Sequence, residues 1–347
     1  MSGDITTTGA GEVDIFSNDG RVRLRDLEFT DLYISTTGQV LIRGVDDADG
    51  PLTDVPEEAV SDLDDLQLAV MAEGQKNKKE FFLDFDEVRY RVSRIRSLDG
   101  DWFTLRKSKS KIPRLKELGG FPPPIMRHLA WLGSRSGLIL LAGATGQGKT
   151  TTACTLLREY LLAFGDIAIT IEDPPELMMN GPHGNFGRCF QLRLEDGETF
   201  GSALVSAMRY TPRYIFLGEL RKSSDASQAL RAAISGHLVI STIHAGSIEE
   251  ALNSMIKLTS AGEESVDFSR DLLANGIAGV IHQKLVKLKG QGNRKQLNVK
   301  TLFFGEDNGI RSLVRDGNVN QIGTFIEQQH SRVLNGKTPL DIQPKRR

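Results

Sequence analysis

Long apolar runs are missing from this sequence. No stretch of about 18 consecutive apolar residues occurs, and the first residues are polar and acidic rather than basic and then apolar. Neither a membrane span nor a signal peptide is therefore expected, and a membrane role has to come through a partner. Cysteine is scarce. Cys154 and Cys189 are too few for a disulfide framework or a four-thiolate zinc site, so a reducing cytoplasm is the expected compartment. A positive excess is lacking too: the formal net charge of −2 argues against a general nucleic-acid coat. An aromatic content of 7% does not advertise a stacking channel for single strands. What remains is a chain of 347 residues, 39% hydrophobic and 25% charged, with the balance of a soluble protein and the length for two domains.

Glycine is present where it carries chemistry. Gly143-Ala-Thr-Gly-Gln-Gly-Lys149-Thr150 has the order of a phosphate-binding loop. Its glycines let the backbone wrap an anion with successive N–H groups pointing inward. Lys149 is placed to reach the β- and γ-phosphates, and Thr150 to offer its hydroxyl to Mg²⁺. The expected nucleotide contacts are Gly143, Ala144, Thr145, Gly146, Gln147, Gly148, Lys149, Thr150 and Thr151. The setting agrees: Gly137 to Leu141 reads as a buried strand, and Thr150 to Phe164 as a helix whose N-terminus faces the phosphates.

Residues 1–13 are rich in Gly, Thr and Ser and read as a mobile tail. Residues 14–106 follow an α+β pattern. Asp31 to Ser35 and Gln39 to Ile42 flank Thr-Thr-Gly38 as a hairpin, and Pro56 to Glu73 has helical spacing with Gly74 after it. Phe81 to Phe85, Val88 to Ile95 and Trp102 to Leu105 read as strands. Residues 107–124 are a linker by composition: basic between Arg106 and Lys116, broken by Pro113, and followed by Gly119-Gly120 and Pro122-Pro-Pro124. Residues 125–347 open with a helix over Ile125 to Leu132. They then alternate strand and helix, which predicts an α/β fold with a parallel sheet and helices on both faces. The end at Pro344 to Arg347 reads as frayed and charged.

Acids recur at strand ends. Ile167 to Ile171 runs into Glu172-Asp173-Pro174-Pro175-Glu176, and Arg213 to Leu217 delivers Gly218-Glu219-Leu220-Arg221. Ligands bind at the carboxyl ends of parallel strands. A hydrolysing NTPase needs one carboxylate for the Mg²⁺ shell and one to polarise the attacking water. A third strand, Leu238 to Thr242, lies between His237 and His244. One strand-end histidine is ordinarily structural, but two around one strand point to a γ-phosphate or intersubunit role.

Taken in order, these four stretches resemble the Walker A, Asp box, Walker B and His box of the type II/type IV secretion ATPase superfamily. The resemblance covers roughly Asp31 to Gln328. Ile112 to Gly119 is similar to the family's interdomain linker. Ile310 to Gly317 is similar to a C-terminal helical motif of the pilus-retraction branch, while the loop wording is also similar to ATPases of Dot/Icm-type and conjugative systems. The resemblance implies a homo-hexameric ring ATPase using ATP and Mg²⁺, with a PAS-like N-terminal domain joined to a RecA-like P-loop domain. Such a ring acts at the cytoplasmic face of the membrane, on inner-membrane platform or secretion-channel proteins and without direct nucleic-acid binding. It further implies Glu172 as water-activating base and Glu219 as the acid near Mg²⁺, two roles that could be exchanged. Arg91 and Arg106, with Arg96 as a further candidate, are implied as γ-phosphate ligands, His244 as a further catalytic residue, and His237 and Arg221 as residues that bind the nucleotide.

The sequence departs from the family in three places. Gln147 stands where Ser is usual, Lys222 follows Arg221 where Asp is usual, and no paired Cys-x-x-Cys module is present, which argues against the type II assembly branch. A nucleotide-gated assembly protein with little turnover and a RecA-like DNA motor are the alternative functions, separated by turnover rate and by stimulation with single-stranded DNA.

Overall fold

The computed structural model describes residues 23–27, 29–45, 50–56, 62–74, 79–107, 112–192, 194, 197–262, 264–287, 295–305 and 308–342. The expected tail and frayed end lie outside the described residues. The chain divides into two units, Met1–Ser110 and Lys111–Arg347.

In the first unit, alternating apolar residues build six antiparallel strands: β1 (Asp31–Ser35), β2 (Val40–Arg43), β3 (Leu52–Asp54), β4 (Glu80–Phe85), β5 (Val88–Ser97) and β6 (Gly100–Lys107). Their spatial order is β3-β2-β1-β6-β5-β4. One helix, α1 (Leu63–Gly74), gives Leu66 and Val70 to a core shared with Leu32, Ile34, Val92, Phe103 and Leu105 of the sheet. Gly74 belongs to this helix rather than following it. A Cβ there would stand 2.5 Å from the Phe103 ring, so glycine lets the last turn lie close to the sheet. The first part of the expected helix, 57–61, lies outside the described residues. β3, three residues on a sheet edge, is too short to show a period in the sequence.

The second unit carries an eight-stranded sheet in the order β14-β13-β7-β12-β11-β8-β10-β9. The strands are β7 (Gly137–Ala142), β8 (Asp166–Ile171), β9 (Gly181–His183), β10 (Gly187–Leu192), β11 (Tyr214–Glu219), β12 (Leu238–Ile243), β13 (Ile277–Lys287) and β14 (Lys295–Phe303). The six inner strands are parallel, and β9 and β14 close the edges antiparallel. Every residue of β7 and β12 is buried, as expected of strands covered on both faces. One face packs on α2 (Pro123–Leu132) and α3 (Lys149–Phe164). The other packs on α4 (Phe200–Met208), α5 (Ser223–Ile234), α6 (Ile248–Ser260) and α7 (Val266–Gly276), with α8 (Asn308–Arg315) and α9 (Gly323–Leu334) completing the unit. Both cysteines are fully buried, Cys154 in α3 and Cys189 in β10.

Composition alone misjudges residues 107–124. Lys107 ends β6, and Ile112 and Phe121 are buried in the core of the second unit, with Leu115 and Leu118 packed against it. The apolar residues recur every third position, and a 3-10 turn at Leu115–Glu117 suits that period. Thr155 of α3 donates to the Pro113 carbonyl at 3.2 Å, and Leu115 N–H donates to Glu159 at 3.4 Å. The many charges hide this packed strap in the sequence.

At the β14 edge, Gln329 of α9 acts as a substitute strand. Its Oε1 accepts from Phe303 N–H at 2.9 Å, and its Nε2 donates to Phe303 C=O at 2.8 Å. Gln329→Leu leaves both buried backbone groups unpaired and is expected to lower stability by about 2–3 kcal/mol, measured as a lower midpoint in urea unfolding.

Candidate active site

Four parallel strands end on one edge of the second unit's sheet and deliver most of the candidate residues there. β7 runs into the glycine loop, β12 into His244, β11 into Glu219 and β8 into Glu172. The ladders pair Ile243 with Ala142, Glu219 with Thr242 and Leu217 with Ile171, so these ends are level.

The loop is shaped by its glycines. A Cβ on Gly143 would stand 2.6 Å from the Gln283 carbonyl oxygen, so no other residue fits there. Gly146 and Gly148 hold φ of 74° and 79°, which side chains disfavour. Gly148 caps α3, and Lys149 is its first residue. Ala144, Thr145 and Gly146 form an exposed crown, while Thr150 and Thr151 are half-buried on the first turn of the helix. Lys149, only 9% exposed, donates from Nζ to the carbonyls of Gly143 at 2.8 Å and Ala144 at 3.0 Å. Burial holds its pKa below the usual lysine value, opposed by the carboxylates of Glu219 and then Glu176. A glycine cradle, a helix N-terminus and a buried ammonium together fit a chain of phosphates.

Glu219 reaches this edge through a bulge. Leu217 pairs with Ser241 but Glu219 pairs with Thr242, leaving Gly218 as the extra residue. The Thr242 hydroxyl donates to the Gly218 carbonyl at 2.7 Å and Leu220 N–H to the Thr242 carbonyl at 2.9 Å, which fixes the bulge. Arg221 is ion-paired with Glu219 and is otherwise exposed, so it meets the site through this carboxylate. Glu172 is 3% exposed, and burial pushes its carboxyl up to about 7, against the lowering effect of the Gln191 amide. Gln191 Nε2 stands 3.4 Å from Glu172 Oε1 and also donates to the Leu177 carbonyl, while its Oε1 accepts from Met179 and Asn180 N–H. The Asp173–Pro174 peptide, between Glu172 and Glu176, is cis.

The two histidines part company. His244 is exposed at the carboxyl end of β12, on the edge of the loop. His237 precedes β12 and lies at the amino end of the sheet, the full length of a strand from the loop, where its Nδ1 donates to the Pro212 carbonyl at 2.5 Å. Its expected place at the nucleotide is corrected by this topology: residues that flank one strand sit at opposite edges of a sheet.

In the first unit, Arg91 and Arg106 are direct cross-strand partners on β5 and β6 and share a face. Arg96, five residues beyond Arg91, belongs to the other face. Arg106 binds the buried carboxylate of Asp31 through Nε and Nη2 at 2.8 and 2.7 Å while staying 67% exposed, and Arg91 pairs with Glu80 at 3.0 Å. Sequence reasoning missed Glu176, Gln191 and Gln283. Glu176 could have been found as the last acid of its segment, but the two glutamines carry no local signal.

The profile of the family described as "Type II/IV secretion system protein" matches residues 75–328. The chain belongs to this family. An uncharacterized protein of Escherichia coli K12, YggR, is 34% identical over 272 residues, covering 76% of this chain and 77% of the relative. The type IV pilus retraction ATPase PilT of Pseudomonas aeruginosa is 30% identical over 270 residues, 74% of each chain. A crystal structure of the pilus retraction motor PilT with bound ADP superimposes with a TM-score of 0.71 at 26% identity, covering 90% of this chain and 88% of that one. The second unit thus has the RecA-like P-loop fold of the secretion ATPases, and the named relatives in this family include ATPases of pilus machinery. No helix among the described residues is long and apolar enough to cross a membrane.

Proposed function

We propose that this chain is the subunit of a homo-hexameric motor that hydrolyses ATP to drive a type IV pilus or a type IV secretion or conjugation machine. It would work at the cytoplasmic face of the membrane, against inner-membrane platform or secretion-channel proteins. The observation that carries the reading is the convergence of the glycine loop, the buried Lys149, Glu219 and the buried Glu172 on one sheet edge. Lys149 and the loop amides would hold the phosphates, with Thr150 and Glu219 holding Mg²⁺. When bound, Mg²⁺ supplies positive charge against the phosphate oxygens. Among the described residues no three His, Cys, Asp or Glu side chains converge, so such a cation would share its coordination with phosphate. Glu172, held near neutrality by burial, is the base that takes a proton from water, and Glu219 is the acid at the cation. The first unit is read as the PAS-like N-terminal domain of such a motor. Its Arg91 and Arg106 act on the γ-phosphate in the ring.

Phosphate release by the purified protein, with light scattering on the same sample, tests this. Lys149-dependent turnover in a particle of about six subunits supports the motor. Binding without turnover would favour a nucleotide-gated assembly protein, and strong stimulation by single-stranded DNA a DNA motor. Arg106→Gln is expected to slow turnover about a hundredfold while changing ADP affinity only a few-fold, since its charge acts on the transition state. Asp31→Asn is the control. It removes the partner of Arg106 and keeps the arginine, so an equal loss there would reduce Arg106 to a structural ion pair.

A further inference from the structure

β13 outruns its parallel neighbour. Its pairing with β7 stops at His282 opposite Ala142, whereas its antiparallel pairing with β14 continues to Lys287. Gln147, in the middle of the phosphate loop, takes up the edge that β7 leaves. Its Oε1 accepts from Leu285 N–H at 2.6 Å, and its main-chain carbonyl accepts from Gln283 Nε2 at 2.7 Å. One residue of the loop is thus tied twice to a strand more than a hundred positions away. Gln283 is 1% exposed, and its main-chain carbonyl is the group that Gly143 must approach. Its own Oε1 is buried without a hydrogen-bond partner. An apolar side chain of the same length would fill this space without that desolvation cost. The amide is accounted for by what it holds.

We propose that Gln147 and Gln283 are positioning residues that clamp the phosphate loop in the conformation that receives the nucleotide phosphates. The proposal rests on the reading of this loop as an ATP site. The crown from Ala144 to Gly146 is exposed and small, so it has little packing of its own, and glycine-rich backbone loses much entropy when ordered. Two hydrogen bonds to a strand place that ordering before the ligand arrives, which strengthens binding. Ground state and transition state use the same loop amides, so loss of the clamp raises KM and spares kcat.

The test uses Gln147→Met and Gln283→Met, which keep length and remove the amide, with Gln147→Ser repeating the first without an added apolar group. Mg-ADP affinity by calorimetry, ATP kinetics and the thermal midpoint of the nucleotide-free protein are measured on each. Expected are about tenfold weaker ADP binding and a similar rise in KM, kcat within about twofold, and a midpoint for Gln283→Met no lower than wild type. Wild-type affinity and KM in the variants would overturn the clamp. So would a loss confined to kcat, or weaker binding that only follows a lowered midpoint. Wild-type protein that shows no Lys149-dependent ADP binding would instead sink the ATP-site reading, and the clamp with it.

Discussion

Lys149→Ala is expected to reduce ATP hydrolysis about a hundred- to a thousandfold while leaving the fold intact. The ammonium sits on the first residue of α3, nearly buried, between the carbonyls of Gly143 and Ala144 and within the field of Glu219 and Glu176. In the proposed ATP site an ammonium there would neutralise charge on the transferring phosphoryl group, and its burial strengthens such a contact. Alanine is a good helix former, so α3 still starts there and the thermal midpoint should hold. Lys149→Arg is expected to fail as well, because a planar fork does not replace a compact ammonium between two carbonyls. Phosphate release with the alanine variant decides the matter: turnover near the wild-type rate would remove Lys149 from the chemistry, and a collapse of the midpoint would mark its role as structural.

Glu172→Gln is expected to change both rate and pH response. With its carboxyl pushed up to about 7, Glu172 is half deprotonated near neutrality, and a base must be deprotonated to act. Wild-type kcat should therefore fall about tenfold per pH unit below about pH 7. The glutamine variant should lose about a hundredfold or more in rate and lose that acid limb. Stability should move the other way. The folded pKa lies above the ordinary value of 4.5, so the folded chain holds an extra proton between pH 4.5 and about 7, and the stability from it is lost as pH rises through that window. Glu172→Gln removes this loss and should gain up to about 3 kcal/mol above pH 7. His128 opposes it: fully buried against Phe303 and Trp131 with neither ring nitrogen paired, it has a pKa lowered by burial from 6.5 to about 4. Its contribution is present above 6.5 and lost as pH falls toward 4. The two groups offset one another in wild type, so unfolding curves of Glu172→Gln should reveal a stability that rises with pH across this range. An unchanged kcat profile in the variant would exclude Glu172 as the base.

The glycine loop was legible because its parts are local: an apolar strand, a turn that only glycine accepts, and a helix, all within about 30 consecutive residues. The acids at the ends of β8 and β11 were legible for the same reason, as apolar runs that stop on a carboxylate. Pairing between distant strands was not legible. Only the sheet order shows that Gln283 lies under the loop, that Gln191 lies beside Glu172, and that His237 stands at the far edge from His244. The Gly218 bulge depends on the register between β11 and β12, which no local pattern encodes. Gly74 is the last residue of α1, one position past the expected end at Glu73, and its close approach to the Phe103 ring is a tertiary demand for glycine that no local pattern shows.

Burial of both thiols has a practical side. Cys154 and Cys189 have no exposed surface, and burial raises the pKa of each, so neither offers a thiolate to a maleimide in the folded protein. The native chain is in effect its own cysteine-free background. Leu98→Cys in the first unit and Ser235→Cys in the second, both at exposed positions, would take fluorophores selectively. Distance changes during nucleotide turnover could then be followed in protein whose core has not been altered.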